Sequence, residues 1–123
     1  MKYTIDKHER YVVIEPLTKL LNGEVAAFLK GEFMLRNTSG QRNIVLDLSN
    51  VEESDGDGIR VGLLAQRLCN AVGGMFILTG VCLQIEDFLR MAGLERNFTI
   101  VKSISKAEDL IFGNEIQREL RGE

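Results

Sequence analysis

Three short runs, YVVIE at 11–15, IVLDL at 44–48 and MFIL at 75–78, constrain this chain more than any other feature. Each is almost wholly apolar and shows little alternation. Such a run suits a strand covered on both faces rather than one with a wet side. Each interval between the runs holds apolar residues at helical spacing. Parallel strands need crossovers of that length, because a tight hairpin cannot join them.

In the first interval Asn22 is placed to cap a helix, with Val25, Phe28 and Leu29 on its inner face, running to about Leu35 or Arg36. NTSGQRN at 37–43 reads as a loop. In the second interval Val61, Leu64, Ala65, Leu68, Ala71 and Val72 mark the inner face of a helix over 58–72, stopped by Gly73 and Gly74. After the third run, Ile85, Phe88, Leu89 and Ala92 line a short helix closed by Gly93. FTIVKSI at 98–104 alternates weakly, as an edge strand does. Ser105 is placed to cap a last helix carrying Ala107, Leu110 and Ile111, whose tail QRELRGE at 117–123 is a solvated helix end. Ahead of the first run, KYTID at 2–6 sets Tyr3 and Ile5 on one face of a strand, KHER makes a polar turn, and Pro16 ends the run that follows. The expected fold is α/β, one domain over 1–123, with a mainly parallel sheet of about five strands and about four helices.

Composition narrows the function. The formal charge is −3 and the pI about 5.3, which argues against a nucleic-acid partner, since phosphate-backbone binding needs a basic face. Cys69, Cys82 and the single His8 have no metal-ligand spacing, so no metal is expected and the thiols read as buried or half-buried. His8 lies in the first turn and no role is expected of it. No apolar run reaches about 18 residues and no basic start precedes one. The expectation is a cytoplasmic protein that does not insert into a membrane.

The informative loop is VEESDGDGIR at 51–60. A calcium loop with Glu53, Asp55 and Asp57 at its first, third and fifth positions puts Gly58 sixth but Leu64 twelfth, where a bidentate carboxylate is required. A strand, not a helix, precedes it. A phosphate cradle at the helix start meets two carboxylates already there and lacks the Gly-Lys-Ser of nucleotide loops. Asp55 and Asp57 have no histidine or nucleophile beside them for acid–base catalysis. Asp57 is instead placed to cap the helix, with Gly56 and Gly58 supplying backbone freedom. The expectation is no enzyme and no cofactor.

The run IVLDLSNVEESDGDGIRVGLLAQRL, residues 44–68, resembles the signature of STAS domains, the anti-sigma factor antagonist family. That signature is a strand ending in Asp-Leu-Ser, a hydrophobe, then Asp-Ser-x-Gly opening a helix. Asp47, Leu48, Ser49 and Val51 match its first half, and Asp55 and Gly58 its second. GGMFILTGV and FLRMAGLERNFTIVKSISKAEDLI resemble the family's later strand and closing pattern. The likeness covers about residues 40–112. The first 40 residues match in element order, with Glu15-Pro16-Leu17-Thr18 in place of the family's Gly-x-Leu-Asp turn. In such domains the serine after the loop aspartate is phosphorylated by an anti-sigma kinase, and the phosphate blocks partner binding through charge and bulk.

This chain has Gly56 at that position. The nearest hydroxyl, Ser54, is two residues upstream, a candidate acceptor displaced from the helix start; its alternative reading is a solvated loop serine. The resemblance implies a non-enzymatic interaction module, cytoplasmic, binding a kinase-like anti-sigma factor or related regulator through the loop Ser54, Asp55, Gly56, Asp57 and Gly58, without the phosphoserine switch. An alternative is a scaffold subunit of a lipid-transport or transporter-linked complex, where STAS-like domains also occur. Phe28, Phe33, Met34 and Leu35, and likewise Met91, Leu94 and Phe98, read as core or as a partner patch, with core expected.

Overall fold

The computed structural model describes residues 2–122. Its elements in chain order are β1 (Tyr3–Lys7), β2 (Val12–Pro16), β3 (Leu20–Leu21), α1 (Gly23–Thr38), β4 (Ile44–Asp47), β5 (Glu53–Ser54), α2 (Gly56–Ala71), β6 (Phe76–Thr79), α3 (Leu83–Met91), β7 (Thr99–Val101) and α4 (Ile104–Leu120). The main sheet has five strands in the order β1-β2-β4-β6-β7. β1 pairs antiparallel with β2, and every other pairing is parallel. The three apolar runs are its centre and sit side by side. β7 lies at an edge, as its weak alternation implies.

Alternate residues of the central strands feed two cores. Val12, Ile14, Ile44, Leu46, Phe76 and Leu78 face α1, α2 and α3, joining Leu29, Phe33, Ala65, Cys69, Ile85 and Leu89. Tyr11, Val13, Val45 and Ile77 face α4 through Ala107 and Ile111. Both sheet faces are therefore dry, which is why these strands show no alternation.

Several local expectations shift. α1 runs to Thr38, into the stretch read as a loop, and Asn22 caps it by accepting from the Val25 N–H at 3.1 Å. Of its four candidate core residues only Phe33 is buried; Phe28, Met34 and Leu35 are exposed. Likewise Met91 is 90% exposed, while Leu94 packs against the core and Phe98 is buried. α2 is rotated from the expected register. Ile59, Val61, Gly62, Ala65 and Cys69 are buried, whereas Leu64 and Leu68 are half-buried and Ala71 and Val72 exposed. Gly62 lies on the buried face of this register, with the Phe98 ring where a side chain would otherwise stand. Ser103, not Ser105, caps α4, accepting from the Lys106 N–H at 3.2 Å.

The end of the sheet away from the loop is tied by polar groups. Buried Asn43 donates to the Arg10 carbonyl at 2.8 Å and to Glu115 at 2.9 Å, and accepts from the Met75 N–H at 2.9 Å. Glu115, buried on α4, also lies 3.8 Å from Arg10 and 3.9 Å from Arg42. Arg118 reaches across to the end of α2, donating to the Val72 and Gly73 carbonyls at 2.9 and 3.0 Å.

Candidate functional site

Two helices begin beside one another at the opposite end of the sheet. β4 ends at buried Asp47, whose carboxylate accepts from the backbone N–H and the hydroxyl of Ser49. Gly80, at φ +69, closes over this turn; a Cβ there would stand 2.3 Å from Ser49 Oγ. The chain then crosses to β5, which pairs parallel with β3, Leu20 opposite Glu53 and Leu21 opposite Ser54. This two-strand crossbar immediately precedes α1 on one side and α2 on the other.

Asp55, not Asp57, caps α2. Its carboxylate accepts from the Gly58 N–H at 2.7 Å, while its own N–H donates to the Leu21 carbonyl at 3.2 Å. Asp57 sits in the first turn, exposed, and accepts from Arg60 at 2.8 Å. The sequence cannot distinguish the two aspartates as caps by type. The spacing to Gly58 and the β5 pairing put Asp55 in the extended conformation a cap requires, with φ −99 and ψ 179. Both carboxylates are thus engaged, and each complements the positive end of the helix dipole.

The two hydroxyl positions differ sharply. Ser54 is half-buried rather than solvated. Its hydroxyl points inward, with the Leu21 and Asp55 carbonyl oxygens 3.1 and 3.0 Å away to accept its proton. Gly56 is the first residue of α2 and is exposed; the nearest atom to a Cβ there is Arg60 Nη2 at 3.6 Å. Gly56 is therefore open to solvent and carries no side-chain hydroxyl. Gly58, by contrast, is packed against Leu21 and Ser54.

Ser54, Asp55, Gly56, Asp57 and Gly58 thus run from the end of β5 through the cap into the first turn of α2, with Gly23 of α1 facing Asp57. Two contributors escaped the reading of the sequence. Leu21 supplies the carbonyl that organises the loop, from a strand only two residues long with no pattern to read. Arg60 is legible only as an i,i+3 partner of Asp57. Among the described residues, no group of three or more His, Cys, Asp or Glu side chains is placed to hold a metal ion, and no helix is long and apolar enough to cross a membrane.

No family model matches the chain. BtrV of Bordetella bronchiseptica, assigned as an anti-sigma factor antagonist, is 27% identical over 103 residues, 84% of this chain and 88% of that protein. A crystal structure of a Thermotoga maritima protein, also assigned as an anti-sigma factor antagonist, superposes with a TM-score of 0.81 at 26% identity, over 89% of this chain and 93% of that one. A structure of RsbS from Moorella thermoacetica, with a serine replaced by glutamate, gives 0.74 at 26% identity, over 92% and 97%. In sequence and in fold, the chain resembles the anti-sigma factor antagonists of the STAS type.

Proposed function

We propose that this chain, a relative of anti-sigma factor antagonists in both sequence and fold, is a non-enzymatic regulatory module that binds a kinase-like anti-sigma factor through residues 54–58 and is not switched by phosphorylation there. The observation that carries this reading is the pairing of exposed Gly56, which has no hydroxyl, with half-buried Ser54, whose hydroxyl is bonded to the Leu21 carbonyl. A phosphate carries about −1.5 to −2 charge and three acceptor oxygens. Two carboxylates already bonded to Gly58 and Arg60 do not reproduce it, so the loop keeps the shape and charge of an unmodified, binding-competent surface.

The test takes kinase-like anti-sigma factors encoded in the same genome as candidate partners. Calorimetry is expected to show binding of the wild-type chain, and mass spectrometry after incubation with ATP no added phosphate. Gly56→Ser is expected to take up one phosphate and then lose binding. Stoichiometric phosphate on wild-type Ser54, or no association with any of these candidates, overturns the proposal.

A further inference from the structure

Beyond the loop, α1 and α2 line an open groove of about 420 Å³ that takes in Gly23 and Asp57. Its floor includes Ala26, Ala27, Val61 and Leu64, and its rim carries Lys30 on α1 and Arg60 and Arg67 on α2. Arg60 is held by Asp57 at 2.8 Å. Lys30 and Arg67 are exposed and have no ion-pair or hydrogen-bond partner among the described residues. A chain with a net charge of −3 thus presents, on opposite walls of one apolar trough, two uncommitted cations.

We infer that this groove seats an acidic, amphipathic helical segment of the protein partner, its apolar side on the alanine floor and its carboxylates between Lys30 and Arg67. This rests on the reading of the loop as a partner surface and extends that surface along both helices. The small floor residues let a helix approach closely, and aliphatic anchors at i, i+3 and i+4 fit a trough of this kind. Two free cations suffice to orient carboxylates. They are too few for a phosphate backbone, whose binding rests on many such contacts. Opposite charge on the two walls of the complex favours encounter and fixes register more than it adds affinity.

The test is a titration of the 15N-labelled chain with a synthetic amphipathic peptide of about four turns, Leu on one face and Glu on its flanks. A second peptide has every Glu replaced by Lys. Expected are amide shifts confined to the groove, at Ala26, Ala27, Val61 and Leu64, with the acidic peptide only. The double variant K30E/R67E, and separately Ala27→Glu, should weaken that binding by about tenfold or more. All three substituted residues are exposed, so circular dichroism and the thermal midpoint should remain those of the wild type. Equal binding of the Lys peptide, shifts outside the groove, or indifference to both variants overturns the inference. So does a response of the same amides to phosphatidylglycerol vesicles but not to the peptide.

The anti-sigma factor supplies the separating arm. If it binds wild type and K30E/R67E equally, the groove assignment falls and the loop reading stands. If it does not bind at all while the acidic peptide does, the loop reading falls and the groove stands.

Discussion

The Leu21 carbonyl oxygen lies 2.0 Å from where a Cβ on Gly58 would stand, with Ser54 Oγ at 2.9 Å from the same point. Backbone of one helix start therefore passes directly under the other. Gly58→Ala must push the crossbar formed by β3 and β5 apart, and overpacking of that kind costs roughly 1–3 kcal/mol. Gly56→Ala meets only the flexible end of Arg60 at 3.6 Å and removes backbone freedom from the unfolded chain, so it should stabilise by about 0.4–1 kcal/mol. Urea unfolding of both variants checks the opposite signs.

Asp55→Ala removes the side chain that accepts from the Gly58 N–H and should cost about 1 kcal/mol. Asp57→Ala loses an exposed ion pair with Arg60 and should cost roughly 0.5 kcal/mol or less. Equal losses, or the reverse order, in thermal unfolding contradict the assignment of Asp55 as the cap.

Asp57→Lys leaves the cap in place but reverses charge on the exposed first turn. Binding of the anti-sigma factor should fall by about tenfold, equivalent to ~1.4 kcal/mol, with a modest fall in the thermal midpoint from the lost ion pair and the unfavourable charge at the helix start. Unchanged affinity places the interface elsewhere.

How much of this was legible beforehand differs by scale. That YVVIE, IVLDL and MFIL are the buried strands of the sheet followed from the sequence, because residues buried on both faces leave an unbroken apolar run. The resemblance pointed to residues 54–58, which lie between the end of β5 and the first turn of α2. The rotation of α2 was hidden, since Leu64 and Leu68 look like core and Gly62 looks like nothing until Phe98 is seen packed on it. The choice between Asp55 and Asp57, and the inward turn of Ser54, both depend on Leu21, thirty-odd positions away in sequence. No local pattern encodes such a pairing. The groove cations Lys30 and Arg67 belong to different helices and line one groove only when these pack.

Alkaline pH should destabilise the fold. Burial pushes the Cys69 thiol from its ordinary 9.0 up to about 12, and burial with the hydrogen bond to Glu108 pushes the Tyr11 phenol from 10.0 up to about 12. Both are raised in the folded state, so their contribution is fully present below about pH 9 and is lost as pH rises toward 12. Urea midpoints should hold through pH 8 and decline at 10 and above. Cys69 should resist thiol reagents in the native protein, with Cys82, half-buried, reacting first.

Asn43→Leu should be costly although it replaces a polar side chain with an apolar one of similar size. It leaves the Met75 N–H, the Arg10 carbonyl and the Glu115 carboxylate without the partner they share. A loss of roughly 1–3 kcal/mol or more is expected from stranded buried groups. Glu115→Gln, which keeps an acceptor for Asn43, should be milder.

The reach of Arg118 to Val72 and Gly73 has a consequence during synthesis. A nascent chain that has emerged only through β7 holds every strand of the sheet, yet Tyr11, Val13, Val45 and Ile77 still lack the helix that covers them. The carbonyls of Val72 and Gly73, just past α2, also wait for Arg118. One face of the sheet therefore stays wet until the last helix leaves the ribosome. A pause or truncation before residue 107 leaves an exposed apolar surface of the kind that chaperones and aggregating neighbours both recognise.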